Sequence, residues 1–168
     1  MEQPPRSRRE PLLNARLLGR ALLWYGLIES VASMSAYFYL NYRYGWPGVP
    51  LAPEGTEIYR LATTMTLAGV VATQIGAVFC CRTERLSIFK AGFFSNKMVL
   101  LCIVVEILLL ISLIYLPFMQ GIFNTAPLGW QDWLYVFAWT PLIFLADEIR
   151  KFFMRRRALR QLHRLTVK

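Results

Sequence analysis

The stretch at residues 98–116, MVLLCIVVEILLLISLIYL, contains nineteen residues, of which only Glu106 is charged. A helix rises about 1.5 Å per residue, so this stretch would cover roughly 28 Å, close to the ~30 Å hydrocarbon core of a bilayer. Lipid cannot satisfy unpaired backbone groups, whereas a helix satisfies them internally. The stretch therefore predicts a transmembrane helix.

Three other stretches have the same apolar character and lie at residues 17–40, 58–80 and 133–153. The whole chain of 168 residues is 56% hydrophobic and only 17% charged, against roughly 25% charge in soluble domains. The sequence therefore predicts an all-α integral membrane protein with four transmembrane helices in an antiparallel bundle. The predicted organisation is a cytoplasmic leader over 1–16, a transmembrane domain over 17–157 and a basic cytoplasmic tail over 158–168.

The distribution of basic residues predicts the orientation, because Lys and Arg are retained in the cytoplasm. Five lie in the leader and the start of the first span, four in the 82–97 connection and eight between residue 150 and residue 168, together 17 of the 19. Both termini and the 82–97 connection are therefore expected in the cytoplasm of a multi-pass cell-membrane protein. The other two connections are rich in Gly, Pro and aromatic residues, and Trp46, Trp130 and Trp133 are expected to anchor them at the headgroup layer.

The net charge of +9 could indicate nucleic-acid binding, but the basic residues form blocks between apolar runs. A nucleic-acid interface needs them spread over one polar face, so no nucleic-acid partner is expected. Cys80, Cys81 and Cys102 lie in or beside apolar runs without spaced pairs, and His163 is the only histidine. This pattern predicts neither a disulfide framework nor a zinc site.

Three polar side chains lie at membrane depth and are the candidate cation contacts: Glu29, Gln74 and Glu106. An ionisable group there costs about 2.5–3.5 kcal/mol, so it usually faces protein or water and indicates function. Hydrogen bonding between helices is the structural alternative for all three. Asp147 and Glu148, which lie beside two basic residues near the end of the fourth span, are instead interpreted as a solvated or paired surface cluster.

Small residues on the first and on the second span predict that a neighbouring helix packs closely against each of them. Gly26, Ser33 and Ala36 follow one stripe of the first span together with Glu29. Gly69 and Gly76 lie on one side of the second span, roughly opposite Gln74. Because small residues let helix backbones approach in membranes, the second span is expected to be enclosed on two sides.

Several motifs closely resemble the C-terminal membrane region of type II P-type cation-transporting ATPases, a group that includes calcium and sodium pumps. They occur in the same order and are PPRSRREPLLN, ATQIGAVFCCRTERLSIF, FSNKMVL, IYLPFMQGIFNTAPLGWQDW and ADEIRK. The resemblance implies that the four spans correspond to the seventh to tenth helices of a pump. It places Gln74 where the calcium pump has a glutamate ligand, and Glu106 where the sodium pump has an acidic residue associated with a sodium site. Gln74 and Glu106 are thus the candidate metal contacts, with no role implied for Glu29.

The phosphorylation motif D-K-T-G-T and the T-G-E motif of that family do not occur in these 168 residues. The chain is therefore expected to be no enzyme on its own, to hold no catalytic residues and no cofactor, and to be a C-terminal fragment. ATP and Mg²⁺ would bind the missing domains. The leading hypothesis is a membrane module that scaffolds the transport helices of such a pump and contributes at most peripheral cation ligands.

Three alternatives stay open from the sequence. A freestanding cation transporter or channel would line its pathway with Glu29 and Glu106. A regulatory subunit would bind an intact pump, and a nonfunctional remnant would do neither. The partners expected under the leading hypothesis are the remainder of a pump, cations and the lipid membrane.

Overall fold

The computed structural model of the chain describes residues 19–81 and 96–166, and side chains only as far as Arg156 within the last helix. The predictions made for the leader and for the charged 82–97 connection therefore lie almost wholly outside the described residues.

The described part of the chain is all helical, with no β-strand between residues 19–81 or 96–166. A π-helical turn, Arg20–Tyr25, leads directly into α1, and the helices are α1 (Gly26–Arg43), α2 (Glu57–Cys81), α3 (Lys97–Tyr115), α4 (Pro117–Phe123) and α5 (Trp130–Thr166). The predicted all-α class is confirmed. Within these residues α2 and α3 are long and apolar enough to cross a membrane.

Local sequence explains where the shorter elements begin and end. Asn96 caps α3, because its side-chain oxygen accepts hydrogen bonds from the backbone N–H groups of Met98 and Val99. Pro117 opens α4, where its fixed φ suits the first helical position, and Asn124 ends α4 in the left-handed conformation. The sequence analysis had treated this segment as a connection between two spans, so α4 is an addition made by the structure.

Two polar contacts define how α1 lies relative to α5. Arg43 at the end of α1 forms an ion pair with Asp132 near the start of α5. Tyr25, just before α1, donates a hydrogen bond of 2.8 Å to Asp147, which lies further along α5. These contacts show that α1 and α5 run in opposite directions.

Helix α2 lies at the centre of the packing. At Gly69 an added Cβ would lie 3.5 Å from the Ser33 Cα atom and 3.6 Å from the Ala36 Cβ atom of α1. At Gly76 it would overlap Ile143 of α5. The predicted close packing of the small residues is therefore confirmed at Gly69 and Gly76, where α1 and α5 cover one side of α2. The expected enclosure of the opposite side is not found among the described residues, where Gln74 is exposed.

Helix α3 packs against α2 through Phe79 and Ile103, which form a small apolar cluster, but its outer surface is uncovered. Large apolar side chains along α3 are exposed in the described structure, among them Leu101, Leu108 and Leu109, each with more than half of its surface accessible. Exposure of a contiguous apolar surface indicates contact with lipid or with another protein.

Candidate functional site

Gln74 lies on an exposed part of α2, beside the buried Thr73. Its amide makes no hydrogen bond with another described residue. The sides of α2 that carry Gly69, Gly76 and Phe79 are covered by other helices, whereas the side that carries Gln74 is not. Gln74 therefore offers an oxygen donor on a side of α2 that no helix of residues 19–81 or 96–166 covers.

Glu106 lines a groove of about 500 Å³ between α2 and α3. Apolar side chains of both helices form the rest of its walls, including Leu67 and Val71 from α2 and Leu110 from α3, with Cys102 close by. The Glu106 carboxyl is partly buried and has no hydrogen-bond or ion-pair partner among the described residues. This groove surrounds one carboxyl with hydrocarbon, so it contains a single strong oxygen donor.

Glu29 is partly buried on α1, one turn before Ser33. The Ser33 hydroxyl donates a hydrogen bond of 2.9 Å to the backbone carbonyl of Glu29, and the Glu29 carboxyl has no described hydrogen-bond partner. No hydrogen bond or ion pair within residues 19–81 and 96–166 joins Glu29, Gln74 and Glu106 to one another. Over the same residues there is no group of three or more His, Cys, Asp or Glu side chains that could hold a metal ion.

A buried charge cluster, defined here as Tyr25, Asp147, Arg150 and Lys151, is the polar centre that the sequence analysis missed. The Asp147 carboxylate accepts hydrogen bonds from the Tyr25 hydroxyl at 2.8 Å and from the Arg150 guanidinium at 2.6 Å and 2.8 Å. Its other oxygen lies 2.7 Å from the Lys151 ammonium. Asp147 is 1% exposed and Lys151 is fully buried, so the expected surface cluster is paired but lies inside the protein.

The buried charge cluster connects three helical segments. Tyr25 belongs to the π-helical turn, Asp147, Arg150 and Lys151 belong to α5, and the Lys151 ammonium donates a 3.3 Å hydrogen bond to the backbone carbonyl of Cys80 in α2. A cation at this position also interacts favourably with the negative end of the α2 dipole. The sequence analysis allowed for the pairing of Asp147 with Arg150 and Lys151, which lie at i+3 and i+4, but the contact with Cys80 left no signal in the sequence.

A second polar region fixes the opposite end of the structure. The Thr64 hydroxyl of α2 accepts a 2.9 Å hydrogen bond from the backbone N–H of Ala126, and the Arg60 guanidinium donates to the Thr125 carbonyl at 2.6 Å. The Thr125 hydroxyl in turn donates to the backbone carbonyl of Leu113 in α3. The segment between α4 and α5 is thereby attached to both α2 and α3.

Comparison with known proteins assigns the sequence of this chain to a family. The family described as "Cation transporting ATPase, C-terminus" matches residues 1–153. The chain belongs to this family. The resemblance seen in the sequence motifs to the C-terminal region of type II P-type ATPases is thus confirmed.

The relatives that match the chain are ion-transporting ATPases. Potassium-transporting ATPase alpha chain 1 of Xenopus laevis is 33% identical over 92% of this chain and 17% of its own length. Calcium-transporting ATPase 1 of Schizosaccharomyces pombe is 31% identical over 95% of this chain and 16% of its own length. Sodium/potassium-transporting ATPase subunit alpha-4 of Rattus norvegicus is 28% identical over 94% of this chain and 18% of its own length. The chain therefore spans less than a fifth of these relatives.

Proposed function

We propose that this chain is the membrane module of a type II P-type cation-transporting ATPase. It scaffolds the transport helices and contributes peripheral cation contacts through Gln74 and Glu106. The observation that carries this proposal is the family match over residues 1–153. Phosphorylation, and the binding of ATP and Mg²⁺, are assigned to parts of the pump outside these 168 residues, so the chain by itself does not hydrolyse ATP.

The asymmetry of α2 supports a scaffolding role. Its Gly69 and Gly76 side is closely packed on α1 and α5, and the buried charge cluster holds its far end. Its Gln74 side is open. A helix fixed on one side and unpartnered on the other can present a donor to further helices without moving itself, which is what a static support requires.

The membrane arrangement belongs to the same proposal. Four helices, α1, α2, α3 and α5, form an antiparallel bundle in the cell membrane, with both termini in the cytoplasm. The exposed apolar surface of α3 supports contact with lipid. The basic residues concentrated at the ends of the helices support the orientation.

The groove at Glu106 weakens the rival hypothesis of a freestanding channel. A cation that leaves water must be met by several oxygen donors, and the walls of this groove supply the Glu106 carboxyl among hydrocarbon side chains. Glu29 does not line the groove. Purified chain in liposomes should therefore show no cation flux of its own, and flux abolished by Glu106→Gln would favour the rival.

The test is assembly of a split pump. The chain is co-expressed with the remaining part of a calcium- or potassium-transporting relative from which the matching region has been deleted. We expect the two polypeptides to co-purify and to restore ATP-dependent cation uptake into membrane vesicles. If they neither co-purify nor restore uptake, the proposal is wrong.

The Gln74 contact is tested in the same assembly. Gln74→Ala should raise the half-saturating cation concentration by several-fold, because one uncharged oxygen donor is lost, and leave assembly intact. Val78→Ala, at another exposed position one turn further along α2, is the matched control and should change neither quantity. Equal effects of the two substitutions would exclude a direct contact by Gln74.

A further inference from the structure

The connection between α3 and α5, which contains α4, is uncharged. Over residues 107–131 the sequence contains no Asp, Glu, Lys, Arg or His. A stretch of this length in a soluble domain would contain about six charged residues. The other outer connection of the proposed bundle, over residues 44–56, contains Glu54 and is flanked by Arg43 and Glu57. The two connections are therefore suited to different surroundings.

The polar groups at the end of α3 are satisfied within the protein. The backbone carbonyl of Leu113 accepts a hydrogen bond from the Thr125 hydroxyl. The carbonyl of Ile114 accepts one of 2.6 Å from the side-chain amide of Gln120 in α4. These are carbonyls that the end of a helix leaves without a partner in the helix, so that water often satisfies them. At these two positions the end of α3 needs no water.

A second set of hydrogen bonds joins the far side of the connection to α3. The Tyr115 hydroxyl donates a hydrogen bond of 2.8 Å to the backbone carbonyl of Leu128, and it accepts one of 2.8 Å from the indole N–H of Trp133 in α5. Backbone outside a helix is tolerated at membrane depth only where the protein supplies its hydrogen bonds. The Leu128 carbonyl meets this requirement.

The surface of α4 is exposed and apolar. None of its seven residues Pro117–Phe123, all of which the structure describes, is buried. The side chains of Phe118, Ile122 and Phe123 belong to residues that are 73%, 60% and 58% exposed. Along the chain this surface continues that of α3, whose last turns include the exposed Leu109. An exposed apolar surface in an uncharged segment indicates contact with something other than water.

We propose that α4 is an interfacial anchor, which lies in the outer leaflet of the membrane with Phe118 and Ile122 among the phospholipid acyl chains. The i, i+4 spacing places these two residues on one side of α4. Lipid is the occupant of this surface because the surface continues that of α3, and because aromatic side chains favour the membrane interface. The proposal rests on the membrane arrangement given above but needs no pump partner. It stands or fails independently of the split-pump assembly.

Spin labelling of the full chain measures the depth of α4. Single cysteines are introduced by Phe118→Cys and Ile122→Cys into a variant whose native cysteines are replaced by Ala, spin-labelled, and reconstituted into phosphatidylcholine vesicles. Collision with O₂, which concentrates in hydrocarbon, and with a water-soluble nickel complex reports the surroundings of each label. Leu108→Cys, exposed on α3 roughly 10 Å of helix before Tyr115, is the hydrocarbon reference, and Glu54→Cys is the water reference.

We expect the ratio of O₂ to nickel collisions at Phe118 and Ile122 to exceed that at Glu54 several-fold, because an interfacial helix lies about 5–10 Å deep. A ratio equal to that at Glu54, while the Leu108 label stays in hydrocarbon, would overturn the placement of α4 alone. Few collisions with either reagent would also overturn it, since a protein neighbour such as a second copy would then cover α4. A Leu108 label in water would overturn the membrane arrangement and the anchor together.

Discussion

At the scale of the residue, Gly76 is a position where α2 and α5 are packed too closely to leave room for a side chain. A Cβ at this position would overlap the Cγ2 atom of Ile143, which is 1% exposed and cannot move into solvent. At Gly69 the nearest atoms of α1 lie 3.5–3.8 Å from the added carbon, which is ordinary contact. A side chain is therefore excluded sterically at Gly76, whereas a methyl group fits at Gly69.

We predict that Gly76→Ala destabilises the protein by about 1–3 kcal/mol, the usual cost of overpacking a well-filled core. Gly69→Ala should be neutral or stabilising by up to ~1 kcal/mol, because Ala favours the helix and fits the available space. The free energies of unfolding are measured by denaturant titration in mixed micelles. Adding Ile143→Ala to Gly76→Ala should recover part of the loss of packing, and strict additivity of the two substitutions would contradict the contact.

Asp147 is the other decisive residue, because it is the single acid among two bases in the buried charge cluster. Asp147→Asn leaves the ammonium of Lys151 buried without its carboxylate, and breaking such a buried pair costs about 3–5 kcal/mol. Lys151→Met should cost clearly less, since Asp147 still has Arg150 and Tyr25 as partners. The same unfolding titrations measure both variants.

The prediction is that Asp147→Asn loses more stability than Lys151→Met. Tyr25→Phe, which removes one hydrogen bond to the cluster, provides the lower reference at about 1 kcal/mol. A Lys151→Met variant less stable than Asp147→Asn would show that the bond from Lys151 to the Cys80 carbonyl, rather than the carboxylate, holds α2 to α5.

At the scale of the element, one threonine of α2 contributes an anchor to the segment that joins α4 to α5. Thr64 is 1% exposed and accepts the hydrogen bond of the buried Ala126 N–H. Among the described residues Thr66, two positions later, bonds only to the carbonyl of Ala62 in its own helix. The two threonines share a helix and a residue type but differ in whether another element relies on them.

Thr64→Val should therefore destabilise the protein by about 1–3 kcal/mol, because a buried backbone N–H loses its partner. Thr66→Val should change the stability by less than about 0.5 kcal/mol, as is usual away from such features. Hydrogen exchange adds a local measurement. The exchange rate of the Ala126 amide should rise in Thr64→Val and stay unchanged in Thr66→Val. Unchanged exchange in both variants would disprove the anchoring role.

The predicted bounds of the elements agree with the structure where hydrophobicity alone defines them. Predicted spans at 58–80 and 98–116 become Glu57–Cys81 and Lys97–Tyr115. The span predicted at 133–153 belongs to a helix that ends at Thr166. Hydropathy indicates which residues can lie in lipid. The helix continues past that limit because its polar turns also form backbone hydrogen bonds within the helix. Hydropathy also gave no indication of the π-helical turn before α1.

At the scale of the whole molecule, the proposed topology predicts which side of the membrane each connection and the carboxyl end face. Single cysteines at Glu54 and Pro127, in a variant whose native cysteines are replaced by Ala, should react with a membrane-impermeant maleimide added outside intact cells. A cysteine at Thr166 should react only after the membrane is opened. Labelling of Thr166→Cys in intact cells would contradict a cytoplasmic carboxyl end and with it the proposed orientation.

The candidate site was only partly predictable. The sequence drew attention to Glu29, Gln74 and Glu106 because polar groups in apolar runs are costly, and their cation contacts remain predictions. It placed Asp147 in a solvated or paired cluster at the surface, because charged residues are mostly exposed. The pairing is present, but Asp147 and Lys151 are buried. Only the contacts with Tyr25 and with the Cys80 carbonyl show that this carboxylate is enclosed.

The sequence by itself determined the helical class, the apolar segments and the family, because these depend on composition, on local hydrogen bonding and on motifs read in order. Tertiary structure alone decided which side of α2 is covered and which is open, and which basic residues near the end of the chain face inward. Those properties depend on residues more than sixty positions apart, such as Gly76 with Ile143 and Cys80 with Lys151. No local pattern encodes such pairs, since they exist only after the helices have packed.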